Sequence, residues 1–185
     1  RTPERACELL DLYGTKFPVD QEPFAILRDP DGSIYIELPF RVPLGHMKVD
    51  GELPYPEHVL VEDGNSTNPT TEIGTIHFVW TGKIDLVIQD HVGETWIMDH
   101  KTTSIAGETF YSNFYLAQQM VGYTVAVDYI LGGEGKCKGL FLNALICRKP
   151  TKTGKGFEFH RQKFPYSLDQ RKEWKRDVLS LARTF

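Results

Sequence analysis

Residues 82–103 read Gly-Lys-Ile-Asp-Leu-Val-Ile-Gln-Asp-His-Val-Gly-Glu-Thr-Trp-Ile-Met-Asp-His-Lys-Thr-Thr and contain two apolar runs with a polar stretch between them. The runs span residues 84–88 and 96–98, and Gly93 lies in the stretch that separates them. Two short apolar runs joined by a glycine-containing turn predict a β-hairpin. Because side chains alternate between the faces of a strand, the sequence also predicts which side chains of this hairpin share a face.

Three charged residues interrupt the apolar pattern of the hairpin. Asp85 lies within the first apolar run, and Asp99 and Lys101, two residues apart, share one face of the second strand. An unpaired charge is costly to bury, so these residues need partners. Two carboxylates that converge at one end of a hairpin could bind a divalent cation, since hard cations take oxygen ligands. An ordinary ion pair on a solvated face would explain the same pattern.

This hairpin resembles the core of the PD-(D/E)XK nuclease superfamily, and specifically its RecB-like exonuclease branch. The similar motifs are residues 82–87 (Gly-Lys-Ile-Asp-Leu-Val), residues 97–102 (Ile-Met-Asp-His-Lys-Thr), Gln119 with Tyr123 at the branch's Gln-x-x-x-Tyr spacing, and residues 37–40 (Glu-Leu-Pro-Phe), which look like its pre-core strand. The resemblance covers residues 34–145. It implies a metal-dependent deoxyribonuclease, an exonuclease of recombination, repair or phage replication, located inside a bacterial or phage-infected cell or otherwise intracellular.

The resemblance also implies the roles of the site residues. Asp85, Asp99 and the backbone carbonyl of His100 would hold Mg²⁺ or Mn²⁺. Lys101 would stabilise negative charge that develops at the scissile phosphate. Gln119 and Tyr123 would position the DNA backbone or a water molecule. Besides DNA, a recombination or replication protein is an expected partner, and no iron–sulfur cluster is expected because the chain has only three cysteines.

One departure from the resembled branch leaves the function open. Its members carry a histidine or glutamate on a helix before the core, which completes the metal site. Here the first predicted helix offers only Glu4 and Glu8, in a different context. We therefore expect the sequence to be truncated at its N-terminus, with that ligand upstream of Arg1. An alternative hypothesis is a catalytically inert nuclease-like module that binds nucleic acid or a protein partner. A third hypothesis is a metal hydrolase of unrelated fold.

The charge of the chain is unevenly distributed. The net charge is −4, yet residues 1–100 hold 7 Lys/Arg and 18 Asp/Glu, whereas residues 101–185 hold 14 and 7. Such asymmetry suggests a basic face on an acidic body, unless the two halves interleave in space. The candidates for a DNA-binding face are Lys149 and Lys152, together with Lys155, Arg171, Lys172 and Lys175.

The pattern of the whole chain predicts a mixed α/β fold: a mixed central β-sheet with the antiparallel hairpin at its core, flanked by helices. Helices are predicted over residues 3–13, 110–131 and 168–182, and strands over residues 34–40, 76–88, 140–146 and 157–164, besides the second strand of the hairpin. Along the first strand Ile34, Ile36, Leu38 and Phe40 are expected on one face. We expect a single domain over residues 1–185, with an inserted loop at about 45–74. Free thiols favour a reducing compartment.

Overall fold

The computed structural model describes residues 2–49, 74–105, 107–151 and 156–184. The helices are α1 (Pro3–Lys16), α2 (Glu108–Ser112), α3 (Gln118–Ile130) and α4 (Leu168–Ala182). The strands are β1 (Phe24–Ile26), β2 (Ile36–Val49), β3 (Gly74–Asp90), β4 (Thr95–Thr103), β5 (Cys137–Cys147) and β6 (Phe157–Pro165). None of the helices in this part of the chain is both long and apolar enough to cross a membrane.

The strands form one mixed sheet in the order β1-β3-β4-β5-β6, with β2 also paired to β3. The pairing of β4 with β5 is parallel, and the other pairings are antiparallel. Helix α3 connects the parallel pair, as a crossover between parallel strands requires. The chain is therefore a mixed α/β protein whose sheet has an antiparallel hairpin at its centre and helices against it, as predicted.

The turn between β3 and β4 is organised by a carboxylate that the sequence pattern did not single out. Asp90 Oδ1 accepts hydrogen bonds from the backbone N–H groups of Val92 (3.1 Å) and Glu94 (2.9 Å). Asp90 Oδ2 accepts from Trp96 Nε1 at 3.1 Å and pairs with Lys163 Nζ at 2.5 Å. One buried side chain thus closes the turn and ties the hairpin to β6, which holds the hairpin register.

The expected loop at residues 45–74 begins and ends inside strands. β2 and β3 pair as far as Val49 and Gly74, with a register shift between Pro43 and Gly45. Residues 50–73, the rest of that expected insertion, lie outside the described residues. Among the described strands β2 pairs only with β3, so it lies at an edge of the sheet, a position that tolerates the missing N–H of Pro39.

The alternation expected in β2 fails at Glu37. This residue has φ 51°, and it is the one non-glycine residue of the described ranges in the left-handed region. Because the backbone changes direction there, the residues expected on one face do not share an environment. Phe40 is 7% exposed, whereas Ile34 and Ile36 are 43% and 42% exposed. The Glu37 carboxylate forms an exposed ion pair with Lys83.

The single helix predicted over residues 110–131 is two helices. α2 ends at Ser112 and α3 begins at Gln118. Phe114 lies between them and packs against Phe164. Its backbone carbonyl accepts a hydrogen bond from the Tyr166 hydroxyl at 2.5 Å. This tertiary contact uses a carbonyl that a continuous helix would use itself, so the helix breaks there.

The two faces of the sheet are covered by different parts of the chain. α3 packs on one face, with Met120 and Val121 against Leu140 and Leu142. α4 lies behind α3. On the other face, Tyr13 of α1 packs edge-on against Phe159 of β6 at 5.4 Å. This aromatic contact lies in the last turn of α1, which ends at Lys16 rather than at residue 13 as predicted.

Candidate active site

Strands β3 and β4 separate at the two carboxylates that were predicted to bind metal. Their pairing ends at Leu86 and Met98, and one more regular pair would place Asp85 opposite Asp99. Beyond that point β3 remains paired with β2, whereas β4 remains paired with β5. Asp85 and Asp99 therefore lie where the two strands diverge, at the opening of a fork.

Asp99 is a buried carboxylate with an incomplete set of hydrogen bonds. Its side chain is 6% exposed, and Lys101 Nζ lies 2.8 Å from Oδ2. Lys101 Nζ donates a hydrogen bond to Oδ1 at 2.9 Å. The contact with Oδ2 lacks hydrogen-bond geometry, so this oxygen has no donor among the described residues. Burial raises the pKa of Asp99, the hydrogen bond and charge of Lys101 oppose the rise, and the charge of Asp85 adds to it.

Asp85 and His100 are the other two residues that were predicted to bind the metal ion. Asp85 is exposed and lies one residue beyond the last β3–β4 pair, as Asp99 does on the other strand, and its charge acts on both Asp99 and His100. The His100 side chain points to the face opposite Asp99, where it aligns in register with Asn143 and, through it, with Arg161. Desolvation by the surrounding protein lowers the pKa of His100, although part of the imidazole is exposed. Its side chain therefore faces away from the fork, which leaves the backbone as its possible contribution.

Gln119 and Tyr123 share one face of α3, as their spacing predicted. Gln119 Nε2 donates to the Tyr123 hydroxyl at 2.8 Å. The Tyr123 ring packs edge-on against Phe40 at 5.7 Å, and both rings lie over the backbone of Gly82. A Cβ at Gly82 would lie 2.7 Å from Phe40 Cζ. The glycine thus lets the polar pair pack close to β3, three residues before Asp85.

The basic residues do not form the single face that was expected. Arg171 is buried, with Nη1 2.6 Å from Asp128 Oδ2 and Nη2 donating to the Cys137 carbonyl at 2.5 Å. It therefore anchors α4 to α3 at the start of β5. Lys149 is exposed beyond the other end of β5, a strand of 11 residues, which at about 3.3 Å per residue is roughly 36 Å long. Lys152 and Lys155 lie outside the described residues.

The oxygen atoms at the fork fit a hard divalent cation. The buried, donor-free Asp99 Oδ2 and the nearby exposed Asp85 carboxylate are ligands of the type that Mg²⁺ and Mn²⁺ take. Within residues 2–49, 74–105, 107–151 and 156–184, no group of three or more His, Cys, Asp or Glu side chains could hold a metal. α1 packs on the opposite face of the sheet through Tyr13, so the described position of that helix does not bring Glu4 or Glu8 to the fork.

Tyr166 is a neighbour of the fork that sequence reasoning did not find. It packs in the same core cluster as Leu142, the register partner of Asp99 on β5. Burial raises the pKa of its hydroxyl, and the charge of Asp99 adds to the rise. Its hydroxyl holds the Phe114 carbonyl and so fixes the segment between α2 and α3. Tyr166 follows the last strand in the sequence, and no local pattern signals this long-range contact.

Comparison with known proteins assigns most of the chain to one family. Residues 43–185 match a family model described as PD-(D/E)XK nuclease superfamily. The match includes the fork between β3 and β4, helix α3 and strands β5 and β6. It identifies the superfamily and leaves the branch undetermined. No curated protein matches the sequence.

Proposed function

The chain belongs to the PD-(D/E)XK nuclease superfamily, and from this premise we propose that it is a metal-dependent deoxyribonuclease. Members of this superfamily are nucleases that hydrolyse phosphodiester bonds and generally use divalent metals such as Mg²⁺ or Mn²⁺. The observation that carries the proposal is the fork, which brings Asp85, Asp99 and Lys101 together. We further propose that residues 1–185 form one nuclease-like domain.

The proposed cation ligands are Asp85, Asp99 and the backbone carbonyl of His100. Beyond Met98, β4 no longer pairs with β3, so the backbone groups on that edge of β4 are free of β3. This is the condition that a carbonyl ligand at His100 requires. A cation bound here would polarise the phosphate and lower the pKa of its bound water. The carboxylates would hold it between the separating strands.

Lys101 is the proposed electrostatic catalyst. Its side chain is 39% exposed, although it contacts a carboxylate that is 6% exposed. The ammonium is thus located between the buried carboxylate and the solvent side, where a substrate phosphate would approach. A positive charge there would stabilise the negative charge that develops on the phosphate oxygens during attack by water.

The proposed contacts to DNA come from two parts of the chain. Gln119 and Tyr123, held beside β3, would position the DNA backbone or a water molecule. Lys149, beyond the C-terminal ends of β4 and β5, would contact phosphates, and we assign the same role to Lys152, three residues later in the sequence. We propose an exonuclease that acts in recombination, repair or phage replication, alone or with a protein of those processes.

The test is cleavage of linear and circular DNA, single- and double-stranded, with Mg²⁺, with Mn²⁺ and with EDTA. An exonuclease degrades linear DNA, leaves closed circles intact and stops in EDTA. Asp99→Asn should lose both cleavage and Mn²⁺ binding, whereas the matched control Asp177→Asn, at an exposed position of α4, should keep both. Intact DNA under all conditions, with no Mn²⁺ bound, would instead favour the inert nuclease-like module.

A further inference from the structure

The ammonium group of Lys101 contacts the carboxylate that the proposed cation needs. Lys101 Nζ lies 2.9 Å from Asp99 Oδ1 and 2.8 Å from Oδ2, so one positive charge faces both oxygens. An ammonium has donors only and cannot itself coordinate a metal. Lys101 and a metal ion therefore compete for the same two oxygens.

We propose that Lys101 is a displaceable counterion, which neutralises Asp99 until a divalent cation binds and is then released from it. This inference rests on the proposed function of the fork as a metal site. It deepens that function: Asp99 would exchange Lys101 for the cation, and the Lys101 ammonium would become available to the substrate phosphate.

The burial of the two partners explains why the pair forms and why it can open. Asp99 is 6% exposed, and an isolated charge in that environment is strongly unfavourable, so Asp99 needs a cation beside it whenever it is ionised. Lys101 is 39% exposed and carries its charge on a flexible four-carbon stem, so it can move into solvent at small cost. If the ion pair opened, only the Asp99 carboxylate would be left as a buried charge without a counterion.

The exchange would couple metal binding to substrate binding. With a cation held by Asp99, the Lys101 ammonium would lose the one ion pair it makes among the described residues and could pair with a phosphate oxygen. Coupling between two binding events is reciprocal. A phosphodiester that holds Lys101 away from Asp99 should therefore also strengthen the binding of the metal ion.

The chain contains a matched control for the charge of Lys101. Lys83 lies two residues before Asp85, just as Lys101 lies two residues after Asp99. Lys83 forms its ion pair with Glu37, and both of those side chains are 59% exposed. Removing either lysine removes one positive charge near a proposed ligand, but only Lys101 contacts a ligand oxygen.

The experiment is calorimetric titration of Mn²⁺ into the wild-type chain, Lys101→Met, Lys83→Met and Asp99→Asn, at constant ionic strength and near-neutral pH. We expect Lys101→Met to bind Mn²⁺ roughly tenfold more tightly, which is about 1.4 kcal/mol. Lys83→Met should stay within about twofold of wild type, because an exposed charge is well screened. Equal or weaker binding in Lys101→Met, or equal tightening in Lys83→Met, would overturn the displacement model.

The other outcomes separate this inference from the proposed function. If wild type binds Mn²⁺ and Asp99→Asn does not, the proposed metal site is supported. An unchanged Mn²⁺ affinity in Lys101→Met would then contradict only the displacement of Lys101. If Lys101→Met binds Mn²⁺ and wild type does not, the ion pair of Lys101 with Asp99 excludes Mn²⁺ from the wild-type site, which supports the proposed competition. If neither binds, both proposals fail. Lys101→Gln, which keeps a donor without the charge, replaces Lys101→Met in this comparison if the methionine variant does not fold.

Discussion

Lys101 is the residue at which binding and catalysis can be separated. Lys101→Met removes the charge that would face the transition state and keeps the length of the side chain. We expect kcat to fall roughly 10²- to 10³-fold, as for loss of one electrostatic stabiliser, and DNA affinity to fall far less than kcat. Single-turnover cleavage and equilibrium DNA binding measure the two effects. If Lys101 only pairs with Asp99 on the surface, the mutant would cut at the wild-type rate.

Gly82 is the residue at which β3 meets α3. In Gly82→Ala the new Cβ would lie 2.7 Å from Phe40 Cζ and 3.5 Å from Tyr123 Cε1. Because the Phe40 ring is buried and cannot move freely, we expect a loss of stability of about 1–3 kcal/mol. Urea unfolding measures it. Gly14→Ala in α1, with no atom within 4 Å of the added Cβ, should be neutral or stabilising by up to about 1 kcal/mol. Equal effects in the two variants would contradict the packing argument.

At the scale of the element, the β3–β4 turn depends on Asp90. Asp90→Asn keeps the shape of the side chain but removes the charge that binds Lys163 and two backbone N–H groups. Hydrogen bonds to a charged group contribute more than neutral ones, so we expect a loss of about 1–3 kcal/mol near neutral pH. Denaturant unfolding of both proteins tests this. An unchanged midpoint would mean that the turn forms without the carboxylate.

The same residue predicts a pH dependence of stability. The hydrogen bond from Lys163 is the largest cause that lowers the pKa of Asp90, from 3.8 to about 2. With the folded-state pKa below the unfolded value, the stabilisation is present above pH 3.8 and is lost as the pH falls through about 2. The stability difference between wild type and Asp90→Asn should therefore be constant near neutral pH and shrink in that acidic window. A difference that does not change there would contradict the shift.

At the scale of the whole molecule, the basic residues are divided between the two ends of β5. Lys149 lies past Cys147, at the end towards which Lys101 and Thr103 also extend, since β4 and β5 are parallel. Lys172, one residue after the buried Arg171, lies at the end near Cys137. We expect Lys149→Gln to reduce the slope of log affinity for DNA against log salt by about 1, and Lys172→Gln to leave it unchanged. Equal slopes in both variants would place the DNA elsewhere.

The local sequence was sufficient to predict the features that depend only on residues a few positions apart. The final helix was predicted at residues 168–182 and is found there, because its amphipathic period and the capping box of Ser167 and Gln170 are both local. The hairpin and the shared face of Asp99 and Lys101 follow from the two-residue period of a strand, and their ion pair confirms it. The resemblance to the superfamily, drawn from the hairpin motifs together with Gln119 and Tyr123, is confirmed by the family match over residues 43–185.

The tertiary structure decided what depends on partners far along the chain. The break before α3 depends on Tyr166, 52 residues after Phe114, and Arg171 is buried because Asp128 lies 43 residues before it. α1 lies on the face opposite Asp99 because Tyr13 meets Asn143 and Arg161 there. The pattern of a sequence records the period and the caps of each element, whereas these contacts exist only once separate elements pack together. The sequence therefore determined the hairpin and its charged residues, and packing determined which of the remaining charges are buried and which face of the sheet each helix covers.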